Sequence, residues 1–331
     1  MIFKSNFILP SLFIGIVAAG TIDTNTKETY ECPSPYQPVG PDNYCLLIDD
    51  RIGGTWDDMR KFCKEWNGDL AFFPDANLLY EVVQYINKNG LNDSSFWIGA
   101  EDIEREGSWV WTNNHKDVRM HTPLWAPSRY EQEPTGGLSQ NCASLNKDKY
   151  FFVDDGYCQD RFGVICDPLI HAKKKSSEIP DEVVEEEIPV AGECPVPYQM
   201  IGDGCFLIDV VKTNTWYDSK NLCEALGGKL AKIDDANLLG DLYEYFSNRS
   251  IHVSLWIGGS DDLQEGTWLW EDMSLVKMGT PFWGFNMYEE QEPDGHNREN
   301  CLSLHSDNYF FFNDLPCNNL AGVACQYDMR L

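Results

Sequence analysis

Apolar residues recur at helical spacing in two segments of each half of the chain. In the first segment Trp56, Met59 and Cys63 share one face, following the sequence Thr55-Trp-Asp-Asp58. The sequence Thr215-Trp-Tyr-Asp218 precedes the matching segment of the second half. A Thr followed three residues later by an acidic residue is typical of a helix amino terminus. A second helix in each half is predicted from Leu78, Val82, Tyr85 and Ile86, and from Leu238, Leu242, Tyr245 and Phe246.

Short strand-forming runs follow the predicted helices. They lie at 96–99 and 255–258, at 109–111 and 268–270, and at 142–145, 150–153 and 162–166. Between them are segments of about 20–30 residues rich in Pro and Gly, a length that is unusual without a function or covalent crosslinks. Helices followed by strands in each half predict an α+β fold.

The cysteines show that the two halves are copies of one unit. They fall in two sets of six, at 32, 45, 63, 142, 158 and 166, and at 194, 205, 223, 301, 317 and 325. The motif Cys32-Pro-Ser-Pro-Tyr36 in the first half also matches Cys194-Pro-Val-Pro-Tyr198 in the second. Self-similarity at a fixed offset indicates an internal duplication.

The amino terminus has the pattern of a secretory signal peptide over residues 1–20. Lys4 precedes an apolar run at 7–17, and Ala18-Ala19-Gly20 offers small residues for cleavage. The run is too short to span a bilayer, so we expect a secreted, extracellular protein without membrane insertion. In an oxidising compartment an even number of cysteines favours disulfide bonds.

Charge narrows the choice of partners. The chain has 53 Asp and Glu against 25 Lys and Arg, a formal net charge of -28. This surplus disfavours nucleic acids and anionic membrane surfaces, and it suits a hard cation with carboxylate ligands. Residues 167–193 lack an apolar period and carry an acidic run, which predicts a solvated linker, with a protein-docking tail as the alternative.

Taken together, the cysteine spacings, the two helices, the Trp-Ile-Gly strand and the Glu-Pro and Asn-Asp motifs resemble the C-type lectin-like domain. The resemblance covers 32–166 and 194–325, and tandem secreted copies are similar to the two-domain lectins of invertebrates. It implies two helices, short antiparallel strands, a long calcium-binding loop region and three disulfides per domain. The implied pairs are Cys32–Cys45, Cys63–Cys166, Cys142–Cys158, Cys194–Cys205, Cys223–Cys325 and Cys301–Cys317.

The resemblance also assigns a calcium site to the second copy. Its implied ligands are Glu292, Asp294, Glu299, Asn313 and Asp314. Four carboxylates and one amide make a hard-oxygen set that suits Ca²⁺ rather than zinc. Family members have a cis bond before the proline that here is Pro293, and they pair an amide with a carboxylate at each sugar hydroxyl. Glu292 and Asp294 are both acids, so neither a mannose-type nor a galactose-type preference is implied.

The first copy carries a poorer version of this set. The equivalent residues are Glu133, Thr135, Gln140, Asp154 and Asp155, and whether they bind calcium is left open. An auxiliary ion is considered at Asp261 and Glu265 and at Asp102 and Glu106, with acidic surface turns as the alternative. Asn92 and Asn248 begin N-glycosylation sequons, which predicts exposed loops before the Trp-Ile-Gly strands.

By the resemblance, the expected function is calcium-dependent binding of glycans, including microbial surface polysaccharides, by a lectin of innate immunity that recognises or agglutinates microbes. The alternative is a calcium-independent protein-interaction module, which fits the first copy better. An enzyme is not expected, because the chain has no His-Glu-x-x-His, Gly-x-Ser-x-Gly or phosphate-loop motif. Agglutination through one working site would need a homo-oligomer, on which the sequence is silent.

Overall fold

The computed structural model describes residues 31–128, 131–169 and 194–329. The predicted signal peptide and most of the predicted linker lie outside the described residues. The described residues form two similar domains, which we call domain 1 (31–169) and domain 2 (194–329). None of the helices in these ranges has the length and hydrophobicity needed to cross a membrane.

Domain 1 contains two helices and a sheet, with two short 3₁₀ turns in addition. In chain order its elements are β1 (Gln37–Val39), β2 (Tyr44–Gly54), α1 (Trp56–Glu65), β3 (Gly68–Leu70), α2 (Ala76–Asn89), β4 (Phe96–Glu101), β5 (Val110–Trp111), β6 (Cys142–Asn146), β7 (Phe152–Gly156) and β8 (Phe162–Pro168).

Domain 2 repeats this order. Its elements are β9 (Gln199–Ile201), β10 (Gly204–Asn214), α3 (Trp216–Ala225), β11 (Lys229–Leu230), α4 (Ala236–Asn248), β12 (Leu255–Ser260), β13 (Leu269–Trp270), β14 (Cys301–Leu304), β15 (Phe312–Leu315) and β16 (Ala321–Tyr327). The α+β prediction is therefore confirmed for both copies.

The two sheets have the same topology. The strand order is β1-β2-β8-β4-β6-β7 in domain 1 and β9-β10-β16-β12-β14-β15 in domain 2. In domain 1, β3 also pairs with β8 and β5 with β4. The central strands β4 and β8 run parallel, with Phe96 opposite Gly163, and their neighbours are antiparallel. Each sheet thus brings β6 and β7, or β14 and β15, beside the long loop that precedes them.

The first helix shows how the sequence pattern becomes packing. Thr55 Oγ1 accepts a hydrogen bond from Asp58 N at 3.3 Å and so satisfies one free N–H at the start of α1. Trp56 is buried, and its indole N–H donates to Ile98 O of β4 at 2.9 Å. Cys63, two turns later on the same face, is bonded to β8. The predicted helix face therefore lies on the sheet.

The six disulfides are those implied by the resemblance. The structure contains Cys32–Cys45, Cys63–Cys166, Cys142–Cys158, Cys194–Cys205, Cys223–Cys325 and Cys301–Cys317. Because two of them join the first helix of a domain to its last strand, they hold the long loops of each domain within a closed covalent ring.

Two strand predictions are wrong in their bounds. The run predicted at 150–153 becomes a strand only from Phe152, because Tyr150 and Phe151 have φ angles of 52° and 62°, which a strand does not contain. Tyr309 and Phe310 make the same turn in domain 2, with φ angles of 51° and 60°. The Trp-x-Trp run at 109–111 becomes a strand only from Val110, and the eleven-residue strand β2 was not predicted.

Both sequon asparagines are exposed, but only one lies in a loop. Asn92 follows α2 in the segment before β4, as predicted. Asn248 is the last residue of α4, so the predicted loop begins only after it, at Arg249.

The two domains pack against each other through equivalent surfaces. Asp75 caps the start of α2, and Asp235 caps the start of α4. Asn237 reaches across the interface, where its Oδ1 accepts from Ala76 N at 3.1 Å and its Nδ2 donates to Asp75 at 2.8 Å. Asn77 makes the same two contacts with the start of α4, at 2.9 and 3.0 Å. The two helix ends cap each other, as in an isologous dimer interface.

Aromatic side chains fill the rest of this interface. Phe152 and its counterpart Phe311 are fully buried, with ring centroids 5.2 Å apart, and Phe152 also lies 5.6 Å from Phe285. From the long loops, Thr122 and Thr280 donate hydrogen bonds to backbone carbonyls of the opposite domain at 2.8 and 2.7 Å. The loops are therefore held on one side by the other domain.

Candidate functional site

Three carboxylates meet in domain 2 where the long loop approaches β15. Glu292, Asp294 and Asp314 each place an oxygen within 4.8 Å of the other two. Glu292 and Asp314 are buried, Asp294 is exposed, and the Glu292–Pro293 bond is cis, as the resemblance implies. We call these three residues the domain 2 cluster.

Backbone contacts fix the loop over the strand. Asp314 accepts hydrogen bonds from the N–H groups of Asp294 and Gly295, at 3.2 and 2.9 Å, and so ties the loop to β15. The Glu299 side chain lies against Gly295, where a Cβ atom would come within 2.2 Å of it. The absence of a side chain at Gly295 therefore lets Glu299 approach the domain 2 cluster.

The domain 2 cluster carries uncompensated negative charge. Burial, reinforced by the nearby charges of Asp314 and Asp294, raises the pKa of Glu292 to about 9. Burial also raises the pKa of Asp314 and of Glu299. Glu292 is only 6% exposed, and its Oε2 is buried without a hydrogen-bond partner. Close carboxylates of this kind are stable in their ionised form only beside a cation, and hard oxygen ligands favour Ca²⁺.

Two asparagines complete the surroundings. Asn313, expected to be a ligand, points its Nδ2 at the carbonyl oxygen of Asp314, at 2.6 Å. Asn286, which sequence reasoning missed, donates to Asp294 Oδ2 at 2.6 Å. Asn286 lies eight residues upstream of Asp294 in an irregular loop, and the matching position of the first copy is Ser128, so no residue type shared by the two copies identified it.

Domain 1 contains a similar cluster that is built partly from other positions, because Thr135 and Asp154 stand where domain 2 has Asp294 and Asn313. Glu133, Asp154 and Asp155 place oxygens within 4.8 Å of one another, and we call them the domain 1 cluster. The ammonium of Lys149 lies among them, in contact with Glu133 Oε1 and 2.7 Å from Asp154 Oδ1. Gln140 donates a hydrogen bond to the backbone carbonyl oxygen of Asp155 at 3.4 Å.

The lysine changes the charge balance of the domain 1 cluster. Burial alone would raise the pKa of Glu133, but hydrogen bonds from Lys149 and Thr135 outweigh it and the pKa is lowered. The pKa of Asp154 remains raised, because burial outweighs its contact with Lys149. Burial raises the pKa of Asp155 to about 7. The same glutamate position thus has opposite pKa shifts in the two domains.

The residues considered for an auxiliary ion belong to turns. Asp102 and Asp261 each accept a hydrogen bond, at 2.8 and 2.9 Å, from the backbone N–H of the glycine five residues later. Glu106 and Glu265 are exposed. Neither pair is part of the domain 1 or domain 2 cluster. The turn satisfies only one oxygen of each aspartate, and the other oxygen, Oδ1 of Asp102 and of Asp261, is buried without a hydrogen-bond partner.

Comparisons with known proteins agree with this architecture. The family model described as "Lectin C-type domain" matches residues 52–168 and 212–327. C-type mannose receptor 2 from Homo sapiens is 24% identical over 277 residues, covering 82% of this chain and 17% of the receptor's length. C-type lectin BML-2 from Bungarus multicinctus is 29% identical over 137 residues, covering 40% of this chain and 82% of that lectin.

Among solved structures, the mouse scavenger receptor C-type lectin carbohydrate-recognition domain aligns with a TM-score of 0.34 and 23% identity, covering 42% of this chain and 98% of that one. The family model covers most of the chain in two copies, and each copy contains two helices, one sheet and three disulfides. The chain belongs to the C-type lectin domain family and consists of two tandem C-type lectin folds.

Proposed function

We propose that this protein is a calcium-dependent, carbohydrate-binding lectin whose working site is the domain 2 cluster. The observation that carries the proposal is the buried Oε2 of Glu292, which has no hydrogen-bond partner and faces two further carboxylates. A buried polar atom without a partner calls for a missing ligand. The raised pKa of Glu292 shows that a proton can relieve the charge here, and a bound cation that displaces this proton would do the same.

The residues of domain 2 fit calcium as their ion. Glu292, Asp294, Glu299 and Asp314 supply carboxylate oxygens, and Asn313 an amide. Calcium, when bound, supplies a hard centre for sugar hydroxyls. The chain's own acids then accept hydrogen bonds from those hydroxyls, and the Asn286 amide holds Asp294 in place. Since Glu292 and Asp294 are both acceptors, the site favours sugars that donate two hydroxyl hydrogens on that side.

The wider role follows from family membership and is part of the same proposal. The protein is secreted and extracellular, and it recognises glycans on microbial surfaces in innate immunity. Its partners are polysaccharides, and the chain has no catalytic activity. Family membership and six disulfides, which persist in oxidising compartments, support this role.

A second candidate concerns domain 1. Its cluster already holds the Lys149 ammonium, which favours a calcium-independent interaction module there. The two domains would then differ in their need for calcium although they share one fold.

Retention of the full chain on a panel of immobilised sugars, with calcium and with a chelator, tests the proposal. We expect retention only with calcium, and at least tenfold weaker retention for Asp294→Ala. Thr135→Ala, the same position in domain 1, is the matched control and should be retained like the wild type. Retention that survives the chelator, or that is unchanged in Asp294→Ala, would overturn the proposal.

A further inference from the structure

A lysine side chain contacts the domain 1 cluster, and domain 2 has no lysine at the matching position. Lys149 ends a short turn over Lys147–Lys149, in which Asn146 Oδ1 accepts from Asp148 N at 2.9 Å. The turn directs Lys149 Nζ to Glu133 and Asp154, 16 and 5 residues away in the chain. Less than a third of the side chain is exposed, so this ion pair is held in a partly desolvated site.

Every carboxylate oxygen of the domain 1 cluster has a protein donor. Glu133 accepts from Lys149 and, at 2.7 Å, from the Thr135 hydroxyl. Asp154 accepts from Lys149 and, at 2.6 Å, from the Asn146 amide. Asp155 accepts from the backbone N–H groups of Thr135 and the next residue, at 3.2 and 2.6 Å. This cluster therefore has no oxygen without a protein donor, in contrast to Glu292 Oε2 of domain 2.

Domain 2 differs at the position that matches Lys149. Asn308 stands there, and its amide donates to Phe285 O at 2.7 Å, away from the domain 2 cluster. An uncharged side chain in this place leaves Glu292 Oε2 without a partner. The residues of domain 1 therefore do not fit calcium, while those of domain 2 do.

We propose that Lys149 is a built-in cation that takes the place of calcium in domain 1, so that this domain keeps its loop folded and binds no calcium. Because the ammonium is covalently attached, it neutralises the cluster without an ion from solution, and its charge repels one. The position equivalent to Lys149 in each copy thus decides which domain depends on calcium. This inference concerns domain 1 and does not require that domain 2 binds sugar.

The test replaces Lys149 of the full chain by the asparagine that domain 2 has at this position, and it uses calcium alone as the probe. Glu292→Gln disables the domain 2 cluster, so that calorimetric titration with calcium reports on domain 1. In this background we expect no heat of binding up to millimolar calcium. Adding Lys149→Asn should create a calcium site, so that the double variant binds calcium at least tenfold more tightly than Glu292→Gln alone. Lys147→Asn is the matched control, because Lys147 Nζ donates to Asp93 O at 3.0 Å instead of to the cluster, and it should create none.

Hydrogen exchange of residues 131–160 provides a second measurement. In the wild type we expect the same protection with calcium and with chelator, whereas in Lys149→Asn calcium should restore protection that the substitution removes. Calcium binding by Glu292→Gln with Lys149 intact, localised to 131–160 by exchange, would overturn the inference. So would a folded Lys149→Asn variant, protected as the wild type is, that gains no calcium site. Loss of sugar binding in domain 2 alone contradicts only the proposed function.

Discussion

Replacing Phe152 by Ala should lower the free energy of unfolding and weaken the packing between the two domains. Phe152 is fully buried and contacts two rings of domain 2, Phe311 at 5.2 Å and Phe285 at 5.6 Å. Truncating a buried Phe costs about 3–5 kcal/mol. Each aromatic pair contributes about 0.5–1.5 kcal/mol beyond its buried area, so about 1–3 kcal/mol of the cost belongs to contacts between the domains.

Urea unfolding of the two single variants and of the double variant measures this coupling directly. For Phe152→Ala and Phe311→Ala we expect an interaction energy of about 1 kcal/mol, because the two rings touch. The control pair is Phe152→Ala with Leu230→Ala, since Leu230 lies in a separate small core of domain 2. That pair should be additive within about 0.5 kcal/mol. Strict additivity of the Phe152 and Phe311 changes would refute the interface reasoning.

Three further predictions follow from the site and the interface. Calcium affinity should rise with pH between about 6 and 8, by up to tenfold per unit, because the raised pKa of Glu292 means that calcium must displace a proton; titrations at several pH values measure it. Asn237→Ala should lower the free energy of unfolding by about 1 kcal/mol in a urea titration, because Ala76 N at the start of α2 loses its acceptor. Replacing Cys63 and Cys166 by Ser should cost about 2–5 kcal/mol by the same assay, because the bond closes a loop with a separation of 103 residues.

Two of these predictions, the pH dependence and the helix cap, have a matched control. Glu133→Gln should leave the pH dependence of calcium affinity unchanged, since that residue lies in domain 1. A flat pH profile in the wild type would contradict the charge assignment. For the cap, Asn89→Ala at the opposite end of α2 removes an amide that contacts only the carbonyl of Tyr85 in the same helix. Asn89→Ala should lower the free energy of unfolding by less than half as much as Asn237→Ala.

Much of the fold could be predicted from residue pattern. Thr55 and the Trp56 face marked α1 correctly, because capping and helical periodicity are local properties. The strand at 150–153 was misplaced because the aromatic residues there favour strands, while the close turn that they make is set by packing on both domains. Comparison of the two copies at position 149 would have shown a lysine five residues before Asp154, where the second copy has Asn308.

By itself the sequence determined the duplication, the cysteine framework and the positions along the chain of the acids in each loop. Only the tertiary structure decided which of these acids meet, that Lys149 reaches Glu133, and that Asn77 and Asn237 cap helices of opposite domains. The physical reason is that a pattern of apolar residues records which positions are buried but not which surface covers them. An ion pair depends in the same way on where a turn places a charged atom, and at that turn domain 1 has Lys149 where domain 2 has Asn308.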